Sequence, residues 1–133
     1  MRVVLDTKVL VSGLITGSGT CARALDLAIE GYLVPCTDAR LLAEYEAVLG
    51  RPELAIDPRD AETLGEFLRS FSVGVVAPPL DVRLPDPADL PFLEVASAAG
   101  AVLVTGNSRH FPARSCRTVV VVTPRGMLDL LRS

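Results

Sequence analysis

Five short apolar runs punctuate the chain, at Val3 to Leu5, Leu33 to Cys36, Val73 to Ala77, Ala101 to Val104 and Val119 to Val122. Each is nearly continuous rather than alternating, the pattern of a strand covered on both faces. Between them, apolar residues recur at helical spacing. Leu10, Leu14 and Ile15 form a short element after the first run. Thr20 to Gly31 sets Ala24, Leu25, Leu27, Ala28 and Ile29 on one broad face, with Gly31 as its C-terminal cap. Thr37 or Asp38 can cap a helix through Leu41, Leu42, Tyr45, Val48 and Leu49, which Arg51-Pro52 stops. Pro58 to Phe71 buries Leu64, Phe67 and Leu68, and Leu90 to Ala99 ends at Gly100. Thr123-Pro124 opens a last helix with Met127, Leu128, Leu130 and Leu131 on one side. Short strands alternating with helices predict parallel pairing and right-handed crossovers. The expected fold is α/β, a three-layer α/β/α sandwich around a parallel sheet of about five strands. One domain is expected over residues 1–133, since no repeat or long linker divides the chain.

Composition narrows this picture modestly. The 133 residues suffice for one ordinary domain, and 50% hydrophobic with 22% charged residues excludes a disordered chain. Trp is absent and aromatics are few, so Leu, Val and Ala must fill the core. A net charge of −3 carries no global sign of a nucleic-acid partner. Attraction for phosphate would have to be local or carried by a metal ion. Cys21, Cys36 and Cys116 are odd in number and widely spaced, which argues against a disulfide framework or a zinc site. They read as buried or half-buried thiols in a reducing compartment. Met1 leads straight into a strand without signal-peptide architecture, and no apolar run nears the ~18 residues that span a bilayer. A soluble, cytoplasmic protein with no membrane partner is expected.

In open α/β sheets chemistry gathers where strands end and helices begin. Those places hold Asp6 and Thr7 after the first strand, and Thr105-Gly106-Asn107 after the fourth. Asp86 and Asp89 lie ahead of a helix, behind the proline-rich loop Pro78 to Pro87. Glu44 lies in the helix after the second strand, where Leu41, Tyr45 and Val48 mark the buried side. A buried carboxylate needs a partner, and several together repel unless a cation neutralises them. All-oxygen ligands favour Mg2+ or Mn2+, the usual ions of phosphodiester hydrolysis. Blander readings stand beside these. Asp89 before Leu90-Pro91 also makes a good helix cap. Glu46 and Glu94 read as solvated helix charges. His110 reads as a packing or phosphate-contact residue more readily than a catalytic base, and Arg109, Arg114 and Arg117 as scattered surface charges.

The motifs carry a resemblance. Val3-Val4-Leu5-Asp6-Thr7, continuing through Val9 to Gly13, is similar to the opening of PIN domains. Leu41-Leu42-Ala43-Glu44-Tyr45 resembles their second acidic motif and Asp86 to Ala96 their third. Leu103-Val104-Thr105-Gly106-Asn107, with His110-Phe111 beyond, resembles the fourth. Four motifs in order cover nearly the whole chain, and the nearest likeness is to VapC-like toxins of bacterial toxin–antitoxin pairs. The resemblance implies a Rossmann-like parallel sheet and Mg2+- or Mn2+-dependent cleavage of RNA. It assigns Asp6, Glu44 and Asp89 as metal ligands and catalytic carboxylates, with Asp86 a further ligand or a supporting group. Asn107 stands where the family often has Asp, and would orient water or a ligand. Thr105 would join the same hydrogen-bond network. The implied partners are an RNA substrate, a cognate antitoxin protein and a second copy of the chain, joined through the apolar early helices.

Lys8 departs from the pattern, which usually has Asn there. Its ammonium can reach the same carboxylates and compete with the ion. The alternative function is therefore a catalytically impaired interaction module of the same fold, held by an antitoxin-like partner. A haloacid-dehalogenase phosphatase would need an Asp at position 8, and a response-regulator receiver an acidic pair near the first strand; neither is present.

Overall fold

The computed structural model describes residues 1–132. Among them are five strands, β1 Arg2–Leu5, β2 Val34–Thr37, β3 Val73–Gly74, β4 Val102–Val104 and β5 Val121–Val122. Seven α-helices accompany them: α1 Thr7–Thr16, α2 Gly19–Glu30, α3 Ala39–Leu49, α4 Pro58–Phe71, α5 Leu90–Ala99, α6 Ala113–Cys116 and α7 Pro124–Arg132. The strands form one sheet in the order β3-β2-β1-β4-β5, and every neighbouring pair is parallel. Helices flank this sheet, so the α/β fold is the expected one.

Burial follows from that layering. Val3, Val4 and Leu5 of β1 and Leu103 and Val104 of β4 lose nearly all contact with solvent, as the middle strands of a covered parallel sheet must. Helix α5, apolar almost all round, packs across β1, β2 and β4, while α2 meets α1 and α7. The predicted helix boundaries are close. Gly31 and Gly100 end α2 and α5 in left-handed conformations, at φ of 91° and 61°. Asp38 caps α3 by accepting from the Leu41 N–H at 3.0 Å. Thr123 Oγ1 accepts from the Gly126 N–H at 3.0 Å at the start of α7.

The edges differ from expectation. The run Val73 to Ala77 pairs only over Val73–Gly74, with one further bond from the Val75 N–H to the Thr37 carbonyl. Val76 is 95% exposed, and Pro78 and Pro79 have no N–H to extend a ladder. The run Val119 to Val122 shortens to Val121–Val122 at the other edge. Leu33 and Ala101 lie just outside their strands, and the short helix α6 was not anticipated.

Candidate metal centre

At the carboxyl ends of the middle strands a cavity of about 200 Å³ opens. Asp6, Lys8, Glu44, Asp86, Asp89 and Asn107 all line it, with Val48 and Phe92 as apolar wall. Parallel pairing of β1 with β4 explains the core of this arrangement. The Asp6 N–H donates to the Val104 carbonyl at 2.9 Å, which brings the residues after the two strands side by side. Thr105 Oγ1 then donates to Asp6 Oδ2 at 2.7 Å and accepts from the Asn107 N–H at 3.1 Å. Asp6 is 8% exposed and Thr105 fully buried, so this relay fixes the Asp6 carboxylate at the cavity floor.

Helix α3 is tied to the same strand end. The buried Tyr45 hydroxyl donates to the Leu5 carbonyl at 2.5 Å. Burial, then the charges of Asp6 and Asp38, raise the Tyr45 phenol well above its ordinary range, so it stays a neutral donor. Its neighbour Glu44 thereby reaches the cavity. Glu44 is exposed, however, and not the near-buried carboxylate that its apolar neighbours suggested. It sits on the flank of a helix whose buried residues are Leu41, Tyr45, Val48 and Leu49.

The third acidic segment divides its labour differently from expectation. Asp86, not Asp89, serves as the cap, accepting from the Ala88 N–H at 2.9 Å as the turn Pro87–Asp89 begins. Asp89 makes no side-chain cap bond to α5. Its Oδ2 is buried, and no hydrogen bond reaches it. His110 Nδ1 stands 2.9 Å from that oxygen, at ion-pair distance. Burial, the nearby charge of Asp6 and that of Asp86 raise the Asp89 carboxyl above its ordinary value, and His110 partly offsets them. Glu94, read as a solvated charge, is 4% exposed and fully engaged. Its Oε1 accepts from Arg40 at 2.7 Å and its Oε2 from the Leu80 N–H at 2.8 Å. Glu46 does remain at the surface, paired with Arg69.

Three further residues reach the cavity, of which the sequence pattern marks Arg51 only as a helix stop. Thr7 Oγ1 is buried without a hydrogen-bond partner, Arg51 stands on the wall, and His110 touches Asp89. Lys8 lines the cavity but is exposed, and among the described residues it forms no ion pair.

The donor set fits a hard divalent cation. It is rich in carboxylate oxygen, and two buried oxygens, Thr7 Oγ1 and Asp89 Oδ2, have no hydrogen-bond partner. Among the described residues no three acidic, imidazole or thiol groups already stand together as an ion's ligands.

The fold, a parallel sheet of order 3-2-1-4-5 between helices, has counterparts among known proteins. A family model described as PIN domain matches residues 2–109. The chain belongs to the PIN-domain family. An uncharacterised protein of Methanocaldococcus jannaschii is 31% identical over 111 residues, covering 80% of this chain and 71% of that protein. Among solved structures, VapBC2 from Rickettsia felis, bound to a DNA fragment from their promoter, matches with TM-score 0.64 at 18% identity. That match covers 92% of this chain and 98% of the other. FitAcB from Neisseria gonorrhoeae matches with TM-score 0.59 at 17% identity, again over 92% and 98%. Among the described residues no helix is long and apolar enough to cross a membrane.

Proposed function

We propose that this chain is a Mg2+- or Mn2+-dependent endoribonuclease, acting in the cytoplasm as the toxin of a toxin–antitoxin pair. One observation carries the reading: four carboxylates line one small cavity in which two buried oxygens accept no hydrogen bond. Buried oxygens left without a hydrogen bond are places for an ion, a ligand or a water molecule. Asp6, Glu44 and Asp89 would hold the ion, with Asp86 beside them. When bound, the ion would neutralise the cluster and lower the pKa of a water molecule.

The chain's own groups do the rest. The Asn107–Thr105–Asp6 relay holds the Asp6 carboxylate in place at the floor. Asn107, half-buried on the wall, offers an amide to orient water or a phosphate oxygen without adding charge. Arg51 and Lys8 at the wall draw the RNA backbone towards a site whose floor is negative. Val48 and Phe92 give the cavity an apolar wall beside the carboxylates.

An antitoxin partner is supported by the likeness to VapBC2 and FitAcB, and a homodimer by Ile15 and Ile29 of α1 and α2, which stay exposed. The absence of a pre-assembled ligand trio among the described residues favours the second reading, an impaired interaction module. RNA cleavage assays with and without EDTA separate the two. The nuclease reading expects cleavage that chelation abolishes and Mn2+ restores. Equal RNA integrity with wild-type protein, with Asp6→Asn and with buffer would leave the interaction module standing.

A further inference from the structure

We propose that His110 is itself a ligand of the divalent ion in the acidic cavity, and that its imidazole makes the site prefer Mn2+ to Mg2+. The inference rests on the metal-centre reading above and adds a nitrogen donor to it. His110 closes the short turn Ser108–His110 after β4, and its N–H donates to the Asn107 carbonyl at 3.2 Å. The turn is therefore held to the same relay that fixes Asp6.

His110 Nδ1 meets the buried Asp89 Oδ2 at ion-pair distance on the cavity wall. Nδ1 and Oδ2 lie 2.9 Å apart, yet no hydrogen bond reaches the buried Oδ2. Adjacent donors around a small octahedral ion, each roughly 2.1 Å from it, are about 3 Å apart. The two atoms thus stand side by side as neighbouring ligands would, on the wall of a cavity that also holds Asp6 and Glu44. Mg2+ takes oxygen ligands and dehydrates reluctantly, whereas a first-row transition ion accepts imidazole nitrogen readily. A mixed nitrogen–oxygen set would therefore discriminate between two ions that an all-oxygen set treats more alike.

His110 is the only histidine in the sequence, which makes the test direct. Pulsed EPR of the untagged protein loaded with Mn2+ reports any directly bound imidazole through its 14N coupling. Calorimetric titration with Mn2+ and with Mg2+, on wild type and His110→Asn, gives the preference. The expected result is a 14N coupling in the wild type that His110→Asn lacks. Its Mn2+ affinity should fall about tenfold, with Mg2+ affinity changed less than about twofold. Wild-type protein that binds Mn2+ without nitrogen coupling, or a variant that weakens both ions equally, overturns the ligand role. Wild-type protein that binds neither ion overturns the metal-centre reading, and the inference with it. The wild-type spectrum decides the coupling even if the variant folds poorly.

Discussion

Two carboxylates five positions apart on the same segment, Asp89 and Glu94, meet opposite circumstances. Glu94 is buried within α5, and both of its oxygens are used, one by Arg40 and one by the Leu80 N–H. Asp89, just ahead of α5, has a buried oxygen that no hydrogen bond reaches, and its nearest carboxylate neighbours repel it. The first arrangement anchors the proline-rich loop to α5 and to the start of α3. The second leaves negative charge accumulated around a cavity. A buried carboxylate that is fully partnered is part of the scaffold, whereas one left unsatisfied among like charges marks a place for a ligand.

That contrast can be broken in several ways. The largest effect should fall on activity. Asp6→Asn or Asp89→Asn is expected to lower RNA cleavage by about a hundredfold to a thousandfold, the scale of losing several kcal/mol of charge stabilisation. Glu94→Gln should keep most of the activity. If the Gln variant lost as much as the Asn variants, the division between scaffold and site would be wrong.

On stability the order reverses. Glu94→Ala strands the Leu80 N–H and opens a void, and should cost about 2–3 kcal/mol in urea denaturation. Arg40 is nearly half exposed and returns to water, so its lost ion pair adds little. Tyr45→Phe removes only the bond to the Leu5 carbonyl and should cost about 1 kcal/mol, with the helix still packed.

Asp89→Asn should act in the opposite sense on the ion-free protein. The Asp89 carboxyl is raised in the fold by burial and by Asp6, so its ionisation opposes folding. Its contribution is most favourable at acid pH and is lost as pH rises through the raised value. The Asn variant should therefore melt above wild type at neutral pH in EDTA, and the gap should close on acidification. A variant that melts lower at neutral pH would show that the oxygen is partnered after all.

The smallest effect concerns Lys8. Being exposed and unpaired among the described residues, it should weaken ion binding only through the screened field at the rim. Lys8→Asn is expected to tighten Mn2+ binding by roughly twofold to threefold. A change of a hundredfold would place the ammonium inside the site.

Much of the scaffold could be read from periodicity, because the middle strands and capped helices are decided locally. Val3 to Leu5 and Val102 to Val104 are apolar whichever face they present, and Pro58, Gly31 and Gly100 punctuate helices by their own backbone preferences. The edges were harder, since the end of β3 depends on where the neighbouring strand stops and not on the apolarity of Val75 and Val76. The cavity was legible as a set of residue types at strand ends. The state of each group was not. Glu94 and Glu46 are both glutamates on amphipathic helices, and only the arrival of Arg40 and the Leu80 loop makes one of them interior. Asp86 and Asp89 are both suited to capping, and the turn that begins at Pro87 chooses between them. Such choices are made by residues distant in the chain, so a local pattern cannot express them.

The Asp6–Asp89 cavity is proposed to take a cation, and the Glu94 cluster is proposed not to. Calorimetric titration of Mn2+ into ion-free wild type, Asp89→Asn and Glu94→Gln tests it most directly. Wild type and Glu94→Gln are expected to bind with similar affinity, and Asp89→Asn to lose binding. Binding that survives Asp89→Asn, or that wild type lacks altogether, would contradict it.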